Sequence, residues 1–324
     1  HQLNINYDEM YGRTLPKRIL GYWKKQRLFK KRLNECLCNI RPDITISLLR
    51  RDINFINKVK DGSIKIGEIH FNKSDYRAFN DNHLPMFLQR IVKEHWRRQL
   101  IRQLRQLKRF IVLSHEDAAQ WTELNNVSVI YNPLPFYPGV SSDNSQKQVI
   151  AVGRYVPQKG FDRLIPAWKI VSEQHPDWTL RIYGDGMREK LQQQIDSLGI
   201  SSNCVLEHSV PNIVDKYCES SIFVLSSRFE GFGMVIIEAM ACGVPPVSFT
   251  CPCGPRDIIT DSKDGLLVEN GDIEGLAGKI CYLIENEKVR KEMGKQARIN
   301  VERFKIEHVA QEWRELFETL TKLS

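Results

Sequence analysis

No apolar run in this sequence approaches the length of a membrane-spanning helix, so no segment of it reads as one. The eight cysteines, at positions 36, 38, 204, 218, 242, 251, 253 and 281, are scattered. Cys36-Leu37-Cys38 and Cys251-Pro252-Cys253 have one intervening residue instead of two, and no histidine stands near either. Neither a zinc set nor a disulfide framework is expected, and the thiols suit a reducing cytosol. The chain lacks a G-x-x-x-x-G-K-[ST] loop and an Asp-x-Asp pair, which speaks against a Walker-type phosphate site and a carboxylate-anchored metal. An aromatic RNA-binding sheet motif and a contextual G-x-x-G clamp are also missing, so no nucleic-acid partner is expected. Internal repeats and low-complexity tracts are not evident. His1-Gln2-Leu3 carries neither an initiator Met nor a secretory pattern, and upstream residues are expected to lie outside this chain.

What is present suffices for two cores: 324 residues with 42% hydrophobic content. The charge is unevenly placed. Residues 1–145 hold 25 Lys and Arg against 14 Asp and Glu, a net +11, whereas the remainder holds 22 against 25, a net −3. A basic half can face nucleic acid, an anionic membrane leaflet or phosphorylated ligands. It contains two basic helical patterns, Leu15 to Cys38 and about Pro85 to Arg109, the second with an apolar stripe through Leu88, Val92, Trp96, Leu100, Leu104 and Leu107. The usual reading of such charge sets is a solvated helix face. Two of them together, with Trp23 and Phe29 interleaved, bring membrane-surface contact into consideration.

Strands alternate with helices along the chain, which predicts α/β architecture with parallel sheets. In the first half the strands are Ile44 to Leu49, Ser63 to Ile69, Phe110 to Ser114 and Val127 to Ile130. Tyr137 to Gln148 reads as the linker. Beyond it come strands at Val149 to Val152, Thr179 to Tyr183, Val205 to His208, Ile222 to Leu225 and Gly265 to Val268, then two or three helices from Asp272 to Leu323. The expected domains are 1–145, 146–305 and a last helix, 306–324, crossing back to the first. The first domain has few strands before His70, so its first βαβ unit is expected to be missing here.

The most informative stretch is Ile222 to Asp257. A buried-strand run ends at Ser226-Ser227-Arg228, Glu230-Gly231-Phe232-Gly233 follows, and a short helix begins at Met234 and closes at Gly243 before Pro245-Pro246. A strand, a glycine turn and a helix N-terminus present free N–H groups to an anion, and phosphate is the natural guest. Glu230 and Glu238 bracket the turn, although neither suits an apolar core. A lone G-x-G means little; two carboxylates at a fixed offset across it mean more. Ligands of open parallel sheets bind beyond the carboxyl ends of the strands. That rule gathers Gly153 to Lys159, Gly184 to Gly186, His208 to Pro211 and Glu230 to Gly233, with Arg154 and Lys159 bringing two cations.

At these residues the chain resembles the retaining glycosyltransferases of family four, the group 1 glycosyltransferases. Glu230 and Glu238 match the family's Glu-x₇-Glu in the frame SSRFEGFGMVIIEAMACGVPPVSF; VGRYVPQKGFDRLI, IYGDG and VIYNPL match further family segments. The resemblance implies a GT-B architecture, two Rossmann-like domains facing across a cleft, with the N-terminal one incomplete. It implies that Arg154 and Lys159 contact the donor diphosphate and departing oxygen, that Glu238 binds the ribose, and that Glu230 holds the transferred sugar. Backbone at Phe232, Gly233 and Met234 would line the sugar and phosphate, Gly184 would belong to the donor site, and His208 and Val210 would flank the base. His70 would face the sugar and leaving phosphate. The family's glycine-rich loop after its first strand has no counterpart in these residues, and Asp257 stands where relatives often carry Glu. The implied reaction moves a hexose from a nucleotide-diphosphate sugar, a UDP-sugar for preference, to a saccharide or lipid-linked saccharide in surface polysaccharide assembly. Anomeric configuration would be retained, with no metal and no resident cofactor. The expected place is the cytoplasm or, peripherally, the inner face of the membrane. A phosphorylase or epimerase on the same architecture and a non-enzymatic polyanion-binding protein are the alternatives.

Overall fold

The computed structural model describes Leu3, Ile5, Tyr7 and residues 15–73 and 86–322, so the expected starting point at Pro85 and end point at Leu323 lie outside the described residues, as do most of residues 1–14. The chain divides into two compact units. The first comprises 1–112, 118–129 and 313–324; the second, 113–117 and 130–312.

The first unit contains α1 (Leu15–Ile40), β1 (Ile44–Ser47), β2 (Ile64–Glu68), α2 (Met86–Arg105), β3 (Arg109–Val112), the second half of α3 (His115–Gln120) and β4 (Val127–Val129). Its four strands lie parallel in the order β1-β2-β3-β4. Leu100, Ile101, Leu104 and Leu107 pack on Phe110, Val112 and Trp121, which realises the inner part of the α2 stripe. The side chain of Leu88 lies outside the described residues.

The second unit is built from β5 (Gln148–Val152), α4 (Phe161–Gln174), β6 (Thr179–Tyr183), α5 (Arg188–Ser197), β7 (Cys204–Glu207), α6 (Ile213–Cys218) and β8 (Ile222–Leu225). It continues with α7 (Met234–Ala241), β9 (Pro246–Phe249), α8 (Pro255–Ile258), β10 (Leu266–Val268), α9 (Ile273–Glu285), α10 (Glu287–Asn300) and the start of α11 (Ile306–Lys322). The six strands are all parallel, in the order β10-β9-β8-β5-β6-β7.

Successive residues of a strand point to opposite faces, and the two cores of this unit divide by that rule. Val149, Ala151, Leu180, Ile182, Ile222 and Val224 join α4 and α9 in one cluster. Ile150, Tyr183, Phe223 and Leu225 join α6, α7 and Ala297 of α10 in the other. Helices therefore cover both faces, and the strands read as continuous apolar runs because neither face is solvated.

The structure adds a strand to the expected set. Pro245-Pro246 is legible in sequence as a stop after α7, yet β9 begins at Pro246 itself. A first strand position tolerates proline because its missing N–H leaves the rest of the ladder intact. α3 ends at Gln120, and Trp121 turns into the core of the first unit.

Candidate active site

In the second sheet β5 pairs with β6 on one side and with β8 on the other, so the strand order reverses between β5 and β8. Loops leaving two such strands diverge and open a crevice beyond their carboxyl ends. The loop after β5 carries Arg154 and Lys159; the loop after β8 carries Glu230. Lys159 Nζ lies 2.7 Å from Glu230 Oε1, with both side chains largely buried. Ser227 Oγ donates to the same Oε1 at 2.6 Å, and Glu230 N–H donates to Pro252 O at 3.1 Å. A carboxylate this deep is tolerated because a cation and a hydroxyl meet it.

The four predicted loops are tied to one another by hydrogen bonds. Arg228 N–H donates to Gln158 O at 2.8 Å, and Ser226 Oγ to Lys159 O at 3.0 Å. Tyr155 N–H donates to Asp185 O at 2.7 Å, and Met187 N–H returns to Tyr155 O at 2.9 Å. The Tyr155 ring is buried and its hydroxyl donates to Ile182 O at 2.7 Å; Glu207 O is a second acceptor beside it. Asp185 reaches the fourth loop: its Oδ1 is 2.9 Å from His208 Nδ1, and its Oδ2 takes Ser209 N–H at 3.3 Å. The Ser209 hydroxyl, which also donates to Oδ2, and then His208 hold the Asp185 carboxyl below the ordinary range. At Gly184 a Cβ would stand 1.9 Å from Gly153 O, so only glycine lets the β5 and β6 loops approach this closely.

Gly233 precedes α7 with φ +99, in the left-handed region, and frees the first-turn N–H groups of an eight-residue helix. Its neighbours divide their labour. The Phe232 ring is 2% exposed and packs with Tyr131 and Phe304, at ring-centre separations of 5.7 and 5.6 Å. Only its backbone is left for a ligand. Met234, half-buried, is the first residue of the helix. Glu238 lies one turn further on, half-buried, and accepts the Tyr217 hydroxyl at 3.1 Å. Burial pushes its carboxyl up, against the Tyr217 hydrogen bond and the Lys159 charge, which pull it down.

The remaining predicted residues are placed as follows. Arg154 is exposed just after β5. His208 is exposed and Val210 half-buried after β7, with Val210 packed against the α6–α7 core. His70 follows β2 in the first unit, 44% exposed at the side chain, with Nε2 3.3 Å from Glu68 Oε1. Asp257 accepts His115 N–H at 2.7 Å and stands 3.0 Å from His115 Nδ1. Sequence reasoning missed Ser227, Tyr155, Asp185 and Tyr217 as members of this environment. Ser227 and Asp185 stand in the strand-end segments Ser226-Ser227-Arg228 and Gly184-Asp185-Gly186, where that position is the signal that marks them. Tyr217 had no motif at all. Among the described residues no group of three or more His, Cys, Asp or Glu could hold a metal ion.

Residues 138–300 match the family model described as Glycosyl transferases group 1. An uncharacterized glycosyltransferase of Haemophilus influenzae is 30% identical over 211 residues, 64% of this chain and 60% of that protein. The poly(ribitol-phosphate) alpha-N-acetylglucosaminyltransferase of Staphylococcus aureus is 28% identical over 253 residues, 76% of this chain and 51% of that one. Among solved structures, a mutant of S. aureus TarM in complex with Fondaparinux, alpha-GlcNAc-glycerol and UDP is 25% identical. It superposes with a TM-score of 0.71 over 90% of this chain and 59% of its own. The chain thus spans about half to three fifths of the length of these relatives. Its fold class is α/β with two Rossmann-like units, of GT-B type. With half of its length matched by that family model, the chain belongs to the group 1 glycosyl transferases.

Proposed function

We propose that the protein transfers a hexose from a nucleotide-diphosphate sugar, UDP-sugar for preference, to a saccharide or lipid-linked saccharide in surface polysaccharide assembly, with retained anomeric configuration. The observation that carries this reading is the Lys159–Glu230 pair at the strand-order reversal, beside the N-terminus of α7. A leaving diphosphate accumulates negative charge as the glycosidic bond opens. Preorganised donors aimed at that charge are the main catalytic lever available to a protein. Lys159, Arg154 and the N–H groups at Gly233 and Met234 are such donors. Glu230, with Oε1 engaged by Lys159 and Ser227, is assigned to the transferred sugar's hydroxyls, and Glu238 to the ribose. Gly184, His208 and Val210 are assigned to the base side of the donor, and His70 to the sugar and leaving phosphate.

The relatives support the donor class: the TarM structure holds UDP, and one relative is named for N-acetylglucosamine transfer, in its case to poly(ribitol phosphate). The test is donor turnover. Release of free nucleoside diphosphate from UDP-, GDP- and ADP-sugars is measured with and without added acceptor, in buffer with and without EDTA. Turnover of one donor class, retained in EDTA and lost in Glu230→Gln, is expected. Absence of turnover and of binding for every donor removes the proposal.

The proposed partner of the first unit is an anionic membrane surface at the inner leaflet. On α2, exposed Met86, Phe87 and Ile91 stand among exposed Arg90, Lys93 and Arg98; on α1, exposed Leu20 and Trp23 stand beside Lys24 and Arg27. Apolar residues set among cations suit an interfacial helix. Flotation with vesicles containing anionic lipid, but not with neutral ones, is the expected result.

A further inference from the structure

Tyr217 has no place in the family motif, yet it is the hydrogen-bond donor that meets Glu238. It lies on α6, fully buried, its ring edge-on to Phe223 of β8 at 6.0 Å between centres, and its body belongs to the core formed with Ile236, Ile237 and Met240 of α7. A buried tyrosine hydroxyl needs an acceptor, and most cores supply a carbonyl. Here the nearest carbonyl, Val235 O, is 3.5 Å away, whereas Glu238 Oε2 is at 3.1 Å. The bond therefore goes to the charged acceptor, which makes it the stronger of the two.

We propose that Tyr217 is the positioning residue for Glu238, holding one carboxylate oxygen so that the other is aimed at the ribose hydroxyls of the donor. This rests on the nucleotide-sugar reading above. The geometry supports a division of the two oxygens: Oε2 accepts from Tyr217, and Oε1 has no partner among the described residues. Because α6 follows directly on the loop of His208 and Val210, the same tyrosine ties the base-side loop to the ribose carboxylate. Burial raises the Glu238 carboxyl while the Tyr217 bond opposes that rise. Loss of the hydroxyl thus makes Glu238 protonate at higher pH, when it can no longer accept from both ribose hydroxyls.

The experiment uses calorimetric titration of the full chain with UDP, ADP and GDP and with their 2′-deoxy counterparts, across pH. Wild type, Tyr217→Phe, Glu238→Gln and the double variant are compared. Phenylalanine keeps the ring and its packing. The expected result is roughly tenfold weaker binding of the preferred ribonucleotide in Tyr217→Phe, with the deoxynucleotide scarcely changed, so that discrimination collapses. The acid fall in affinity moves to higher pH, and the two substitutions are not additive. Unchanged discrimination and an unchanged pH profile in Tyr217→Phe overturn the inference, because a purely structural tyrosine would lower thermal stability alone. If Tyr217→Phe does not fold, 3-fluorotyrosine placed at 217 keeps the volume and is a stronger donor; an acid fall moved to lower pH supports the proposal, and an unmoved one overturns it. Wild type that binds none of the nucleotides removes the functional reading, and this inference with it. Wild type that binds without regard to the 2′-hydroxyl removes this inference alone.

Discussion

The two sheets of this protein are built alike and end differently. Both are parallel, yet the four-stranded sheet runs β1-β2-β3-β4 in chain order, whereas the six-stranded one reverses direction between β5 and β8. A monotonic order sends successive loops the same way, and a reversal parts them. At the reversal Lys159 and Glu230 meet, and the surrounding loops are cross-linked through Tyr155, Asp185 and Ser226. At the end of β2 stands His70, much more exposed, with Glu68 as its neighbour. The comparison teaches that topology, more than residue type, decides which strand end becomes a built site.

Substitutions can break that contrast. The largest effect is expected at Glu230→Gln, with a loss of donor turnover on the order of 10²-fold or more, while circular dichroism stays native. A variant that turned over donor at the wild-type rate would separate the reversal point from the chemistry. Next comes His70→Asn, expected to lower turnover about 10²-fold with no change in melting temperature, since the side chain is poorly buried. Unaltered turnover there would leave the chemistry to the second unit alone. Gly184→Ala tests the loop cross-links. A methyl 1.9 Å from the Gly153 carbonyl forces backbone to move, at a cost of about 1–3 kcal/mol seen in thermal unfolding of the second unit. Stability equal to wild type would show that the loops are not held against each other. The smallest effect concerns Asp162, whose carboxyl Arg228 holds below its ordinary value of 3.8, with bonds of 2.7 and 2.6 Å. A depressed carboxyl contributes stability above its unfolded value and loses it as pH falls through the folded one. The melting difference between wild type and Asp162→Asn should therefore be present at neutral pH and vanish as pH falls below that range.

Much of this site is legible before folding because its chemistry is encoded in short segments. The apolar run Ile222 to Leu225 must be a strand buried on both faces. Gly233 must allow a left-handed φ, and Glu238 must justify a carboxylate in a helix otherwise made of Val235, Ile236, Ala239 and Met240. Lys159 is legible as a cation near a strand end. Its partner is not, because nothing local relates residue 159 to residue 230. Tyr217 was illegible for a similar reason: a tyrosine among apolar residues reads as core, and its acceptor is 21 positions away. The strand at Pro246 was hidden because proline signals a stop more strongly than it permits a strand start.

By itself the sequence determined the alternation of strands and helices, the glycine turn, the paired carboxylates and the uneven charge, all properties of neighbouring residues or of composition. Tertiary structure alone decided the order of the strands, and with it that Lys159 pairs with Glu230, that Asp185 holds His208 and that Tyr217 meets Glu238. Strand order follows from crossover connections between distant segments, and only when those segments pack do side chains far apart in the chain come within hydrogen-bonding distance.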